Sequence, residues 1–149
     1  MQAQAKSDHT DQLLLTVVTP ARKILEAYAL WVTVPGSEGE MGILPEHAPL
    51  LTTIHSGIIT YQDPKSGESH SLAVHDGYAQ VDGKGVTVLS QMAESKDEID
   101  LDRAREAEKK ASHELAQLQS DKGPTAKESK VRQLEGRIRR AQTRQSLAG

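Results

Sequence analysis

The sequence contains no cysteine, so neither a disulfide nor a thiolate metal site can hold its fold, and its redox compartment stays open. It contains no phenylalanine either; Tyr28, Trp31, Tyr61 and Tyr78 are its only aromatics, and a core has to be assembled from Val, Ile, Leu and Ala. No run approaches the roughly 18–20 consecutive apolar residues of a membrane-spanning helix. Residues 1–12 are polar, lack the apolar stretch of a secretory signal, and read as a disordered tail.

The arrangements on which most catalysis depends are missing too. Histidines at 9, 47, 55, 70, 75 and 113 show no helical zinc spacing, and HExxH does not occur. His75-Asp76 has no G-x-S-x-G elbow to supply a nucleophile, so His75 reads as a strand-end residue. Gly36, Gly39 and Gly42 recur at every third position, as in a phosphate loop, but no Lys-Ser/Thr follows them. Glu38 and Glu40 would repel phosphate, and Ile43-Leu44-Pro45 reads as extended chain where a phosphate loop opens a helix. What remains is a surface loop presenting Glu40 and Met41 outward for a protein contact. A non-enzyme with no metal and no required cofactor is expected.

What is present divides into two halves. The 149 residues suffice for one well-cored domain plus an appendage. Residues 1–99 hold 6 basic against 13 acidic side chains, a net of −7, whereas residues 100–149 hold 12 against 8, a net of +4. An acidic body with a basic arm points to an acidic partner for the arm, against the plainer reading of a solvated helix face. Up to about Leu89 the pattern is that of short strands: Leu13–Val18, Tyr28–Val34, Ile58–Tyr61, Leu72–His75, Tyr78–Val81 and Val86–Leu89. Turn residues separate them at Asp63–Gly67, Asp76-Gly77 and Asp82–Gly85, which predicts an antiparallel β-sandwich or flattened barrel.

After Ile99 the period becomes helical. Ala104, Ala107, Ala111, Leu115 and Leu118 form one narrow stripe, and Val131, Leu134, Ile138 and Ala141 form a second. Asp100 is the expected N-cap of the first helix, Gly123-Pro124 its stop, and Thr125 with Glu128 a capping box for the second. The expected organisation is a tail over 1–12, a sandwich over 13–98 and a two-helix arm over 99–149. Alanine favours helix but buries little area, so the arm should be helical and only weakly held. Folding it antiparallel about Gly123 sets Arg103 level with Thr143, between Arg140 and Arg144. Three gathered guanidiniums need anions; phosphates suit their forked donors, and Asp97, Glu98, Asp100 and Asp102 are the alternative neutralisers.

The run Gly36-Ser37-Glu38-Gly39-Glu40-Met41-Gly42-Ile43-Leu44-Pro45-Glu46-His47-Ala48-Pro49-Leu50-Leu51 resembles the G-x-x-G-x-x-G-h-L-P-G-H-x-P-L-L signature of F-type ATP synthase epsilon subunits, where h is apolar. The likeness continues through Gly77–Val81, Val86–Leu89 and Ile99–Ala104, and covers Leu13 to about Leu147. It implies a sandwich of about ten strands followed by a helical hairpin, without catalytic residues. It also implies a central-stalk subunit that couples ion flow through a c-ring to ATP synthesis by way of gamma.

On that resemblance Ser37, Glu38, Glu40, Met41 and His47 face the c-ring. Glu94, Ile99, Asp100, Arg103, Ala104, Arg140 and Arg144 match a regulatory ATP site. Lys127, Lys130, Arg132, Arg137, Arg139, Arg140 and Arg144 offer charge to the catalytic alpha and beta subunits as the arm inhibits ATP hydrolysis. The location implied is peripheral, on the cytoplasmic face of a bacterial inner membrane, with no nucleic-acid partner. A free-standing β adaptor whose basic hairpin binds an unrelated acidic protein is the alternative. Two departures stand out: Glu46 replaces the signature's glycine, and His75-Asp76-Gly77 replaces a Ser-Gly-Gly turn.

Overall fold

Alternation of small apolar side chains builds the first strand, β1 (Leu13–Val18), in which Leu13, Leu15 and Val17 are fully buried. The computed structural model describes residues 11–120 and 126–149. Most of the expected tail, the Gly123-Pro124 stop, the Thr125 cap and the side chain of Lys127 therefore lie outside the described residues. Seven strands follow β1: β2 (Lys23–Ala29), β3 (Val32–Gly36), β4 (Gly39–Ile43), β5 (Leu50–Ile54), β6 (Gly57–Gln62), β7 (Ser69–Val81) and β8 (Gly85–Ser95). Their order is β2-β1-β8-β7-β5-β3-β4, with β6 bridging β7 and β3. All pairs are antiparallel except β1 with β8.

The described strands number eight where about ten were expected. The main reason is β7, a single strand of 13 residues that runs through the turn read at Asp76-Gly77. Its register with β8 holds from Leu72–Ser95 to Val81–Val86, while β6 and then β5 share its other edge. The corner falls at His75–Gly77, where Asp76 takes φ 43° and a Cβ on Gly77 would lie 1.8 Å from the Leu89 carbonyl oxygen. There the Ser90 hydroxyl accepts from the His75 N–H at 3.0 Å and lies 2.6 Å from the Met92 carbonyl. That hydroxyl satisfies backbone groups that a bent ladder would leave unpaired. The bend folds the sheet into a sandwich around one apolar cluster that includes Ile43, Ile54, Ile59 and Val74.

Tyr28–Val34 is not one strand. Ala29 is buried at the end of β2 and Val32 and Val34 in β3, so the buried phase flips between them. The chain changes layers at Leu30-Trp31, where Gln62 clamps it: Leu30 N–H donates to the Gln62 carbonyl (3.0 Å) and Trp31 Nε1 to Gln62 Oε1 (2.9 Å). Two other expected turns form as read. Asp63 Oδ1 accepts from Lys65 and Ser66 N–H (2.7 and 3.1 Å), and Asp82 Oδ1 from Lys84 and Gly85 N–H (3.0 and 2.9 Å).

A 3-10 turn at Lys96–Glu98 leads into α1 (Leu101–Ser120), and α2 (Ala126–Ala148) returns antiparallel along it. Asp100 caps α1, its Oδ1 accepting from the Arg103 N–H at 3.1 Å. The arm buries Ala104 and Ala111 from α1 and Leu134, Ala141 and Thr143 from α2, none of them in the sandwich cluster. Ala107 is exposed, and Leu115, Leu118, Val131 and Ile138 are half-buried. Beyond its partner helix, α2 touches β6, β7 and the 3-10 turn.

Candidate functional site

Where the arm meets the sandwich, a cleft of about 300 Å³ is lined by Met92, Glu94, Glu98, Ile99, Asp100, Arg103, Ala104 and Arg144. Six of the seven residues expected at an ATP site converge here, from four segments of the chain. β8 brings Glu94, the segment after the 3-10 turn brings Ile99 and Asp100, and the two helices bring Arg103, Ala104 and Arg144. Arg140 does not reach it. It lines a neighbouring cleft of about 270 Å³ between the helices with Lys110, Glu114, Arg137 and Arg144. The hairpin register explains the difference: Glu108 faces Gln142 and Gln145 (3.0 and 2.5 Å), so Arg103 stands level with the last residues of α2, past Arg144 and farther still from Arg140. The expected central place of Arg103 between the two arginines is thereby corrected.

Arg144 is already engaged. Its Nε and Nη2 donate to Glu94 Oε2 and Oε1 at 2.7 and 3.2 Å, a forked pair. Arg103 makes no ion pair among the described residues. The four acids named as alternative neutralisers have other roles or stand apart: Glu98 pairs with Arg22, Asp102 with Arg105, and Asp100 caps α1. Two hydrogen bonds from Ser95 and the nearby Arg22 hold the Glu98 carboxyl below its usual range. The cleft thus offers one free guanidinium, a second held by a carboxylate, and an apolar floor at Ile99 and Ala104.

Behind Glu94 lies His75, which sequence reasoning misplaced. It sits inside β7, 1% exposed, with its Nε2 3.5 Å from Glu94 Oε2 and neither ring nitrogen hydrogen-bonded. Burial, then the charge of Arg144, push its pKa below the ordinary value, against an opposing pull from Glu94. The available signal was the unbroken run Leu72–His75, buried on both faces because α2 covers the outer one.

The c-ring-facing residues outline an edge. Ser37 and Glu38 form a tight turn between paired Gly36 and Gly39, Glu40 is exposed on edge strand β4, and half-buried His47 lies past its far end. Met41 is not presented outward; it packs against the core, because period-two alternation turns it opposite to Glu40. Pro45 and Glu46 occupy a turn closed by His47 N–H on the Leu44 carbonyl (3.1 Å), with Glu46 at φ 66°. A third surface had no sequence signal: Tyr78 and Leu89, a cross-strand pair 54% and 53% exposed, wall a cleft of about 300 Å³ with Val18, Thr19 and Pro20.

Among the described residues no three His, Asp or Glu side chains cluster as metal ligands, and no helix is long and apolar enough to cross a membrane. A β-sandwich followed by a two-helix arm is the class of architecture that the described residues define. The family described as ATP synthase, Delta/Epsilon chain, beta-sandwich domain, matches residues 12–96. The ATP synthase epsilon chain of Citrifermentans bemidjiense is 40% identical over 139 residues, 93% of this chain and 95% of that one. That of Geobacter sulfurreducens matches to the same extent. A chain in the cryo-EM structure of the Euglena gracilis mitochondrial ATP synthase shares the fold, with TM-score 0.74, 22% identity, and coverage of 91% of this chain and 81% of that one. This chain belongs to the ATP synthase epsilon-chain family and is a non-catalytic subunit of the central stalk.

Proposed function

We propose that this subunit couples ion translocation through a c-ring to ATP synthesis by way of gamma, and that its arm restrains ATP hydrolysis and senses ATP. The cleft at the foot of the arm carries the regulatory part of this reading. Arg103 there is free to take phosphate, and Arg144 can exchange Glu94 for it. Lys130, Arg132, Arg137, Arg139 and Arg140 make no ion pair among the described residues, which leaves them for an acidic surface of the catalytic alpha and beta subunits. Helices of 20 and 23 residues at 1.5 Å per residue each reach about 30 Å, so an unfolded hairpin extends about 60 Å, the scale of a catalytic head.

The apolar cleft at Tyr78 and Leu89 suits an apolar face of gamma, and the exposed edge at Ser37, Glu38 and Glu40, with His47, suits the c-ring. Held by these partners, the subunit would lie peripherally on the cytoplasmic face of a bacterial inner membrane. Isothermal titration of the subunit with ATP tests the sensor: heat is expected, and Arg103→Ala should abolish most of it. Heat unchanged by that substitution removes the site. Deleting residues 124–149 tests the arm: assembly and synthesis should persist while ATP hydrolysis rises. A failure to assemble, or hydrolysis at the full-length rate, contradicts it.

A further inference from the structure

We propose that His75, Glu94 and Arg144 form a proton-sensitive latch that holds the arm on the sandwich at neutral pH and releases it on acidification. The latch is built from two domains. His75 and Glu94 belong to the sandwich, on β7 and β8, and Arg144 is the arm residue that closes over them. Both Glu94 oxygens accept from the Arg144 fork, at 2.7 and 3.2 Å, and this one carboxylate, with Oε2 3.5 Å from His75 Nε2, is shared between the two side chains. A proton on His75 would therefore add a cation beside Arg144 and Arg140 without adding an anion. The imidazole is 1% exposed and neither nitrogen has a hydrogen-bond partner, so no solvent offsets that charge.

Lifting α2 changes every one of these conditions. Arg144 and Arg140 leave, water reaches the ring, and Glu94 becomes free to pair with a protonated His75. The other charged groups nearby are already turned elsewhere: Asp76 toward His55 (4.0 Å) and Glu98 toward Arg22 (3.4 Å), while Arg103 lines the same cleft as Glu94 without pairing with it. The released state thus binds the proton more tightly than the docked one. Burial and Arg144 lower the docked-state pKa of His75, whereas a solvated histidine titrates near ~6.5. Docking is fully present above the released-state value and is lost as pH falls toward the docked-state value. The docking constant falls by the ratio of the two proton affinities.

This latch presupposes the movable arm of the regulatory reading, and the test separates the two. The absence of cysteine allows clean labelling of a full-length Ser71→Cys/Ser146→Cys protein with a donor–acceptor pair, without nucleotide. Transfer efficiency should hold its docked value at pH 8, fall reversibly to the released value below about pH 6.5, and stay docked to pH 5 with His75→Gln added. Glu94→Ala should release the arm even at pH 8. If His75→Gln does not fold, the His75 ring resonances of the wild-type chain decide: they should titrate below ~6.5, together with arm release. Wild-type transfer that is flat with pH, an unchanged response in His75→Gln, or a ring that titrates while the arm stays docked overturns the latch. An arm that remains docked in Glu94→Ala overturns the movable arm as well.

Discussion

The sandwich and the arm bury their apolar residues on different terms. Among the described residues the sandwich encloses sixteen buried side chains in one cluster, rich in leucine, isoleucine and valine. The arm encloses Leu134 and little else beyond Ala104, Ala111 and Ala141. Its helices therefore owe their shape to alanine's propensity and their position to polar contacts: Glu108 with two glutamines, and Arg144 with Glu94. A core made of branched side chains resists local opening, whereas a few polar contacts can be exchanged for a ligand or partner. The proposed regulation therefore expects a rigid mount and a detachable lever in the same chain.

The largest effect should come from hollowing the mount. Ile59→Ala removes a fully buried side chain from the cluster and should cost about 2–5 kcal/mol in urea unfolding. A cost near zero would mean that the sandwich is as loosely held as the arm. Arg144→Ala should weaken arm docking by about 2 kcal/mol, the value of hydrogen bonds to a charged group, while the sandwich transition stays where it is. Hydrogen exchange in α2 reads that change directly; equal shifts in α2 and β7 would erase the distinction. Glu46→Gly should stabilise the sandwich by up to about 1 kcal/mol, because it relieves a non-glycine residue held at φ 66°. Asp76→Gly should gain less, since aspartate tolerates φ 43° better than glutamate tolerates φ 66°.

Legibility in the sequence followed the same division. The switch from period two to helical spacing, the Asp100 cap and the Asp63 and Asp82 turns are local, and each was readable from a few adjacent residues. β4 and β5 were not, because Gly39–Ile43 and Leu50–Ile54 lack clean alternation and owe their strand form to pairing with β3 and β7. Nor could local pattern show that the chain changes layers at Leu30-Trp31, a fact set by Gln62 more than thirty residues away. At the cleft, spacing brought Arg103 near Arg144, but hairpin register decided that Arg140 would stand apart. His75 was hidden because its partners, Glu94 and Arg144, lie on other elements, and burial depends on α2 crossing above it.

Native-state hydrogen exchange on the full-length subunit tests the central claim, a stable sandwich bearing a detachable arm, most directly. Amides of α1 and α2 should exchange through openings of low free energy, and those of central β7 and β8 only through global unfolding. Protection of α2 equal to that of β7, abolished at one common denaturant concentration, would contradict the account.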